Sequence, residues 1–110
     1  MAQFVLMLRD TGMFPSDISP EEIQSIIQRY SDWKTKVQAT GQKLYDGEGR
    51  IVVRKDGGVA VTDGPYVESK EVLGGYFLLE AEDYDAVGKL VEDCPHLDFG
   101  SIEIRRIELA

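Results

Sequence analysis

The feature that most constrains the fold of this chain is a well-marked helix start that lies between two apolar stretches. Ser19 is a good N-cap, Pro20 suits the first helical position, and Glu22 stands where a capping box needs an acid. Apolar residues then recur on one stripe of a helix: Ile23, Ile26, Ile27, Tyr30, Trp33 and Val37. Gly41 is the natural C-cap. These signals predict an amphipathic helix of about five turns that packs one face on a sheet.

The segments on either side of this helix supply the sheet. Phe4 to Leu8 is a continuous apolar run, and Asp56-Gly57 separates two β-branched runs, which predicts a hairpin. Further strands are expected near 42–45, at 75–81 and from Ile102 to Leu109. The last one should carry a bulge at Arg105-Arg106, because its inward phase changes there. A second helix is expected over about 84–93, with Asp83 as N-cap and Pro95 ending it.

This order of elements predicts an α+β fold, the ferredoxin-like β-α-β-β-α-β arrangement with an extra hairpin and an antiparallel sheet. The two helices would cover one face of the sheet. The other face also needs a cover, because the apolar strand residues cannot all point to one side: Phe4, Leu6, Leu8, Tyr76 and Leu78. We therefore expect a homodimer in which two sheets meet face to face, as in dimeric α/β barrels, and bury more than about 1,000 Å².

Length, charge and cysteine content exclude several classes of protein. A chain of 110 residues is expected to form a single domain over 1–110. Its net charge of -8 disfavours nucleic acid and anionic membranes as direct ligands. The apolar start leads straight into Arg9 and Asp10, which is typical of a strand and not of a signal peptide. One cysteine, Cys94, makes no internal disulfide, so a reducing cytoplasm is the expected location.

One polar segment precedes the strand at 75–81 and carries the candidate chemistry. It reads Asp63-Gly64-Pro65-Tyr66-Val67-Glu68-Ser69-Lys70-Glu71 and is followed by Gly74-Gly75-Tyr76. This segment resembles the D-G-P-F-A-E-T-K-E motif of the YCII-related (DGPF-domain) family. The resemblance extends over nearly the whole chain, from the Ser19 helix start to Gly100-Ser101-Ile102-Glu103, which is similar to the family's closing G-S-I-E. The departures Tyr66, Val67 and Ser69 conserve size or polarity, and Arg106 stands where the family commonly has proline.

The resemblance implies a dimeric ferredoxin-like barrel with a cleft near the motif. Some YCII-like relatives are thought to use a histidine–aspartate pair with the histidine in the first helix. This chain has no histidine there, so that pair is not carried over. Relatives are also often linked to extracytoplasmic-function sigma factors, which implies an accessory role in transcription control as an alternative function and a sigma factor as a partner.

Two interpretations of the polar segment remain open. In the first, Asp63, Glu68 and Lys70 are catalytic acids and bases, since burial and charge pairing move pKa values toward neutrality. Aromatic rings at Trp33, Tyr66 and Tyr76 would then bind the ligand. In the second, Asp63 caps a turn, Glu68 and Lys70 form a structural ion pair, and Trp33 belongs to the core.

The remaining candidate residues point to no cofactor. His96 follows the second helix in a loop and is expected to be exposed to solvent, whereas Cys94 falls on the inward face of that helix. One histidine and one cysteine do not make a metal site, and the glycine pairs match no phosphate loop. The sequence therefore predicts a dimer that binds a small molecule, with acid–base catalysis on a small metabolite as its enzymatic form. A non-catalytic accessory protein and a structural dimer without a ligand are the alternatives.

Overall fold

The computed structural model of the chain describes residues 1–11, 17–45, 49–64 and 72–108. The described residues form two α-helices, a 3-10 helix and six strands. The elements are β1 (Ala2–Asp10), α1 (Pro20–Lys36), β2 (Thr40–Lys43), β3 (Gly49–Lys55), β4 (Gly58–Gly64), β5 (Val72–Ala81), α2 (Tyr84–Val91), the 3-10 helix η1 (Pro95–Asp98) and β6 (Gly100–Arg106).

The sheet confirms the predicted fold class. Four antiparallel strands lie in the order β2-β5-β1-β6, and β3 and β4 form a separate two-stranded sheet. With that hairpin set aside, the chain follows the ferredoxin-like β-α-β-β-α-β order. Asp56 and Gly57 both have positive φ, at 49° and 80°, as the tight hairpin turn predicted at this pair requires.

Helix α1 begins as predicted and ends differently. The Glu22 amide donates to Ser19 Oγ over 3.1 Å, which is the cap expected at this position. The Ser19 hydroxyl donates to the Glu22 carboxylate over 3.3 Å, so the serine and the acid of the predicted capping box contact each other. The predicted cap at Gly41 is wrong: the helix ends at Lys36, and Gln38 takes the left-handed conformation with φ 58°. Gly41 lies within β2, where a Cβ atom would stand 2.0 Å from the Tyr76 carbonyl oxygen.

The core lies between the helices and one face of the sheet. Alternate residues of β1 and β5 point to it, and Val87, Val91 and Cys94 cover it from the other side. Trp33 is the one buried residue of α1, and its ring packs on Phe77 with the ring centroids 5.3 Å apart. Its indole Nε1 donates to the Leu90 carbonyl oxygen and to the Asp93 carboxylate. The buried hydrophobic residues are Phe4, Leu6, Leu8, Trp33, Ala39, Phe77, Leu79, Ala81, Val87, Val91 and Cys94.

The irregularity of the sheet is in β5 and not in β6. The register of β6 on β1 is continuous from Gly100 to Arg106, so the bulge predicted at Arg105-Arg106 is wrong. The phase of the apolar residues changes there because the strand ends at Arg106. On the other side of β1 the register shifts after Leu8, which pairs with Gly75 while Arg9 pairs with Leu73. Gly74 is thereby the extra residue of a bulge.

The other face of the four-stranded sheet, which we call the helix-free face, is partly apolar. Its residues alternate with those of the core: Val5, Met7, Tyr76 and Leu78, bordered by the ion pair of Arg9 with Glu103 at 3.2 Å. Val5, Met7 and Tyr76 are half-buried and Leu78 is 37% exposed. The predicted division of apolar residues between two faces is therefore present. In the described part of the chain, no helix is long and apolar enough to cross a lipid bilayer.

Candidate functional site

A cavity of about 440 Å³ opens between residues 26–34 of α1 and the ends of β1, β2 and β5. The bulge and the glycine pair at Gly74-Gly75 border it. Its walls are mainly apolar, with a few polar side chains among them, which is the usual composition of a small-molecule site. Its lining includes Leu8, Asp10, Ile26, Ile27, Tyr30, Gly74, Phe77 and His96.

This cavity explains why the apolar stripe of α1 is only partly buried. Ile26 and Tyr30 are half-buried and Ile27 is 50% exposed, although all three lie on the stripe that includes the buried Trp33. Trp33 on this stripe is buried in the core, whereas Ile26, Ile27 and Tyr30 line the cavity. The apolar stripe therefore contributes both to the core and to the cavity wall, and the sequence periodicity does not show which residues do which.

His96 lies at the base of the cavity and is only 1% exposed, so its predicted exposure to solvent is wrong. Pro95 begins the 3-10 helix η1, which turns the imidazole back toward α1 and β1. Both ring nitrogens have partners at 2.9 Å: Nδ1 contacts the Tyr30 hydroxyl and Nε2 contacts the Arg9 carbonyl oxygen. Burial of the ring is tolerated because neither nitrogen is left without a hydrogen bond.

These contacts determine the tautomer of a neutral His96. A carbonyl oxygen only accepts, so Nε2 must carry the proton that is donated to Arg9. Nδ1 is then an acceptor, and the Tyr30 hydroxyl donates to it. Gly100 makes room for this arrangement, since a Cβ atom there would lie 1.9 Å from the same Arg9 oxygen.

Tyr30 is held as a neutral phenol. Burial in the cavity wall raises its pKa well above the usual value, and electrostatic interactions with Cys94 and Asp10 act in the same direction. Its ring stacks on Phe99 at a centroid distance of 6.4 Å, and Arg29, the preceding residue of α1, forms an ion pair with Asp98 at 2.7 Å. The hydroxyl is therefore fixed relative to η1 as well as to His96.

Asp10 brings a carboxylate to the same cavity. It is 6% exposed at the end of β1, directly after the residue whose carbonyl oxygen binds His96. A Cβ atom at position 74 would stand 2.6 Å from Asp10 Oδ2, so the glycine of the bulge makes the space that this carboxylate occupies.

The buried Cys94 is not a candidate for chemistry. Burial raises the pKa of its thiol to about 11, which keeps it an unreactive core residue.

The structure brings together only part of the site that the sequence predicts. Tyr76 belongs to the cavity lining. Because it pairs with Met7, its side chain lies on the helix-free face, and it therefore borders the cavity through its main chain. Trp33 lies in the core and is not part of the lining. Asp63 lies on β4 with its side chain 94% exposed and 3.8 Å from Arg50, and it does not line the cavity either.

The other candidates of the polar segment, Tyr66, Glu68 and Lys70, lie outside the described residues, and their roles stay predictions. Sequence reasoning did not identify Tyr30, His96 and Asp10 as a group. The one available signal was that the only histidine of the chain follows a proline that stops a helix. Among the described residues, no group of three or more histidine, cysteine, aspartate or glutamate side chains is placed to hold a metal ion.

Comparisons with known proteins agree with this architecture. The family model of the YCII-related domain matches residues 2–109. A solved structure of similar fold is 5-chloro-2-hydroxyhydroquinone dehydrochlorinase (TftG) from Burkholderia phenoliruptrix AC1100, in complex with 2,5-dihydroxybenzoquinone. It is 18% identical with a TM-score of 0.50, over 98% of this chain and 95% of that one.

A second structure, of a protein from Arabidopsis thaliana, is 13% identical with a TM-score of 0.42, over 100% of this chain and 96% of that one. No protein with a curated description matches the sequence significantly.

Proposed function

The chain belongs to the YCII-related domain family, and on that premise we propose that it binds a small organic molecule in the cavity and moves a proton on it through Tyr30 and His96. The observation that carries the proposal is the hydrogen-bonded chain from the Tyr30 hydroxyl to His96 Nδ1 and from His96 Nε2 to the Arg9 carbonyl oxygen. It places a histidine of defined tautomer behind a phenol in an apolar cavity.

The protons move in a balanced way along this chain. A hydroxyl of the ligand donates to the Tyr30 oxygen, whose own proton points to His96 Nδ1. When the ligand loses its proton to Tyr30, Tyr30 passes its proton to His96, so the products are a ligand oxyanion, a neutral phenol and an imidazolium. In the reverse direction the same groups protonate an oxyanion. Tyr30 is the group that contacts the ligand, and its raised pKa is compatible with this role because no tyrosinate accumulates.

Asp10 favours the charged intermediate of this transfer. A carboxylate in the same cavity attracts an imidazolium, and this attraction is stronger away from water. The Arg9 carbonyl oxygen accepts from Nε2 in both charge states, so the ring does not have to turn when it gains a proton. His96 thus accepts and returns the proton while Tyr30 meets the ligand.

The shape of the cavity suggests the class of ligand. Its volume of about 440 Å³ lies within the usual range for sites of small organic molecules, and its walls of Leu8, Ile26, Ile27 and Phe77 favour an apolar ring or branched skeleton with a hydroxyl group. A fold neighbour holds 2,5-dihydroxybenzoquinone, a planar ring with hydroxyl groups, which makes that compound a suitable first probe.

The test uses 2,5-dihydroxybenzoquinone as the probe and His96 as the reporter. Because His96 is the only histidine, its ¹⁵N signals are assigned without ambiguity. We expect a protonated Nε2 and an unprotonated Nδ1 in the free protein, and a shift of both signals when the probe binds. Isothermal titration in two buffers of different ionisation enthalpy then measures the protons exchanged on binding. Tyr30→Phe should weaken binding by about tenfold and abolish the proton exchange.

Tyr45→Phe is the matched control, since Tyr45 is 83% exposed and does not line the cavity; it should bind like the unmodified chain. A His96 ring protonated on Nδ1 when neutral would contradict the proposed proton path. Binding of the probe with His96 signals unchanged would place the ligand elsewhere. If this probe does not bind, hydroxylated rings of similar size are screened through the same His96 signals. If none of these compounds shifts the His96 signals, the proposal is refuted.

We also propose that the chain forms a homodimer through the helix-free face, as the sequence predicts. The support is the uncovered apolar strip of Val5, Met7, Tyr76 and Leu78. Light scattering at micromolar concentration should give twice the chain mass of 12.3 kDa, and a monomer would refute this. The association with a sigma factor and the cytoplasmic location stay predictions of the sequence.

A further inference from the structure

The charged side chains in the cavity lining differ in sign from the chain as a whole. The described residues of the lining include two lysines, Lys34 and Lys43, and one aspartate, Asp10, a balance of +1 with a neutral His96. The whole chain carries -8. A negative surface repels anions, so basic groups gathered at a concave site give an anionic ligand a local surface of opposite charge.

Lys34 reaches the cavity from the last turn of α1. It lies four positions after Tyr30, and residues at this spacing share one face of a helix. Its side chain is half-buried, and its ammonium donates to the Gly41 carbonyl oxygen at 3.0 Å. An ammonium has three N–H donors, and this contact uses one of them. Lys34 is therefore fixed at the β2 edge of the cavity and can still donate to a ligand.

Lys34 differs from other basic side chains of the protein in the kind of partner that it has. Several of them pair with a carboxylate of the chain: Arg9, Arg29, Lys36 and Arg50. Among the described residues, no carboxylate lies within ion-pair distance of Lys34, and its partner is a neutral main-chain oxygen. Because the cavity walls are mainly apolar, attraction between this ammonium and an anion is stronger than it would be in water.

Lys43 brings a second ammonium to the same side of the cavity. It pairs with Gly75, which lies two positions before the core residue Phe77, so the Lys43 side chain points to the face of the sheet that the helices cover. Lys43 is exposed, and its ammonium donates to the Leu44 carbonyl oxygen at 3.2 Å. It therefore adds positive charge at the rim, whereas Lys34 supplies the more buried contact.

The lysines stand apart from the groups that are proposed to move the proton. His96 donates to a carbonyl oxygen of β1, and Lys34 donates to a carbonyl oxygen of β2. Strand β5 lies between β1 and β2, so these two oxygens are separated across the sheet by about two strand spacings, roughly 10 Å. A ligand that meets both groups needs a polar substituent at each end of an apolar skeleton.

We propose that the cavity takes a hydroxylated ring carboxylate, whose hydroxyl meets Tyr30 and whose carboxylate binds the Lys34 ammonium. This inference rests on the proposed function and adds the second polar group of the ligand to it. One carboxylate matches the charge of one ammonium. Asp10 lies beside the His96 site and repels a carboxylate there, so the charges also determine which end of the ligand meets Tyr30.

The test compares hydroxylated carboxylates with their neutral carboxamides. Three carboxylates, meta-hydroxybenzoate, para-hydroxybenzoate and para-hydroxyphenylacetate, differ in the distance from the hydroxyl to the carboxylate, and each amide keeps the shape while it removes the charge. Isothermal titration gives the dissociation constants, and the ¹⁵N signals of His96 show that the compound occupies the cavity. For at least one pair, we expect the carboxylate to bind about tenfold more tightly than its amide.

Variants of Lys34 separate its charge from its structural contact. Lys34→Gln removes the charge but keeps a donor for the Gly41 carbonyl oxygen, and Lys34→Arg keeps both. We expect Lys34→Gln to weaken carboxylate binding about tenfold with amide binding unchanged, and Lys34→Arg to retain the preference for the carboxylate. Lys89→Gln is the matched control, because Lys89 is exposed on α2 and does not line the cavity.

Stability measurements complete the comparison, since a lysine in the last turn of a helix also stabilises that helix. Equal affinity for carboxylate and amide, with the His96 signals shifting in both, would overturn the Lys34 contact and leave the proton path standing. Equal losses of affinity for both compounds in Lys34→Gln would do the same, because they would make Lys34 a structural residue. If only the quinone probe shifts the His96 signals, the carboxylate contact alone fails, and if that probe has no effect either, both proposals fail.

Discussion

The hydrogen bond between Tyr30 and His96 offers the sharpest test of the candidate site, because its loss has a calculable cost. In Tyr30→Phe, His96 Nδ1 keeps its lone pair at a position that is 1% exposed and loses its partner at 2.9 Å. An acceptor left unsatisfied in the interior costs about 1 to 3 kcal/mol. The free energy of unfolding should therefore fall by that amount, although only one oxygen atom is removed.

A double-mutant cycle separates this interaction from other effects. His96→Phe removes the ring nitrogens, deprives the Arg9 carbonyl oxygen of its donor and should cost at least as much as Tyr30→Phe. In the double variant no acceptor is left facing a phenyl ring, so the two losses should not add. We expect a coupling energy of about 1 to 2 kcal/mol at neutral pH.

Urea unfolding followed by circular dichroism measures all four proteins, and equal slopes against denaturant concentration would show that the same surface is exposed on unfolding. Tyr45→Phe controls for loss of a phenolic hydroxyl at an exposed position and should change stability by less than about 0.5 kcal/mol. A coupling energy below about 0.5 kcal/mol would mean that Tyr30 and His96 act independently, and the argument for a shared proton would fail.

Three further outcomes follow from the geometry. Burial raises the pKa of the Cys94 thiol from 9.0 to about 11, so unfolding releases a proton between these two pH values. The free energy of unfolding, measured by urea unfolding at several pH values, should therefore fall by roughly 2 to 3 kcal/mol as pH rises through this range. The variant Cys94→Ala should not show this fall. Gly41→Ala sets a Cβ atom 2.0 Å from a main-chain oxygen of β5, so thermal unfolding should show the folded state destabilised by about 3 kcal/mol or more. Gly88→Ala in α2, where the added Cβ atom meets open space, is the control and should stabilise the folded state by up to about 1 kcal/mol. Gly74→Ala sets a Cβ atom 2.6 Å from the Asp10 carboxylate, which is able to turn away, so calorimetry should show ligand affinity reduced while the melting temperature changes by only a few degrees.

Several elements of this protein are determined by short stretches of sequence. Ser19, Pro20 and Glu22 define the start of α1 through contacts that span three residues, and Asp83 does the same for α2 by accepting from the Ala86 amide. Asp56-Gly57 determines the hairpin turn because both residues tolerate positive φ. These signals are readable because the interacting groups are neighbours along the chain. They suffice for the order of elements and hence for the fold class.

The candidate site was decided by tertiary structure. Tyr30 and His96 are separated by 66 positions and His96 and Arg9 by 87, so no local sequence pattern predicts either hydrogen bond. Histidine is intermediate in burial among the residue types, so its place after a helix does not by itself show whether it is buried. This one is buried because η1 folds it beneath α1, where a phenol and a carbonyl oxygen happen to satisfy both nitrogens. The apolar stripe that predicted α1 likewise does not show which of its residues lie in the core and which line a cavity. That division depends on the bulge at Gly74 and on the position of the sheet beneath the helix.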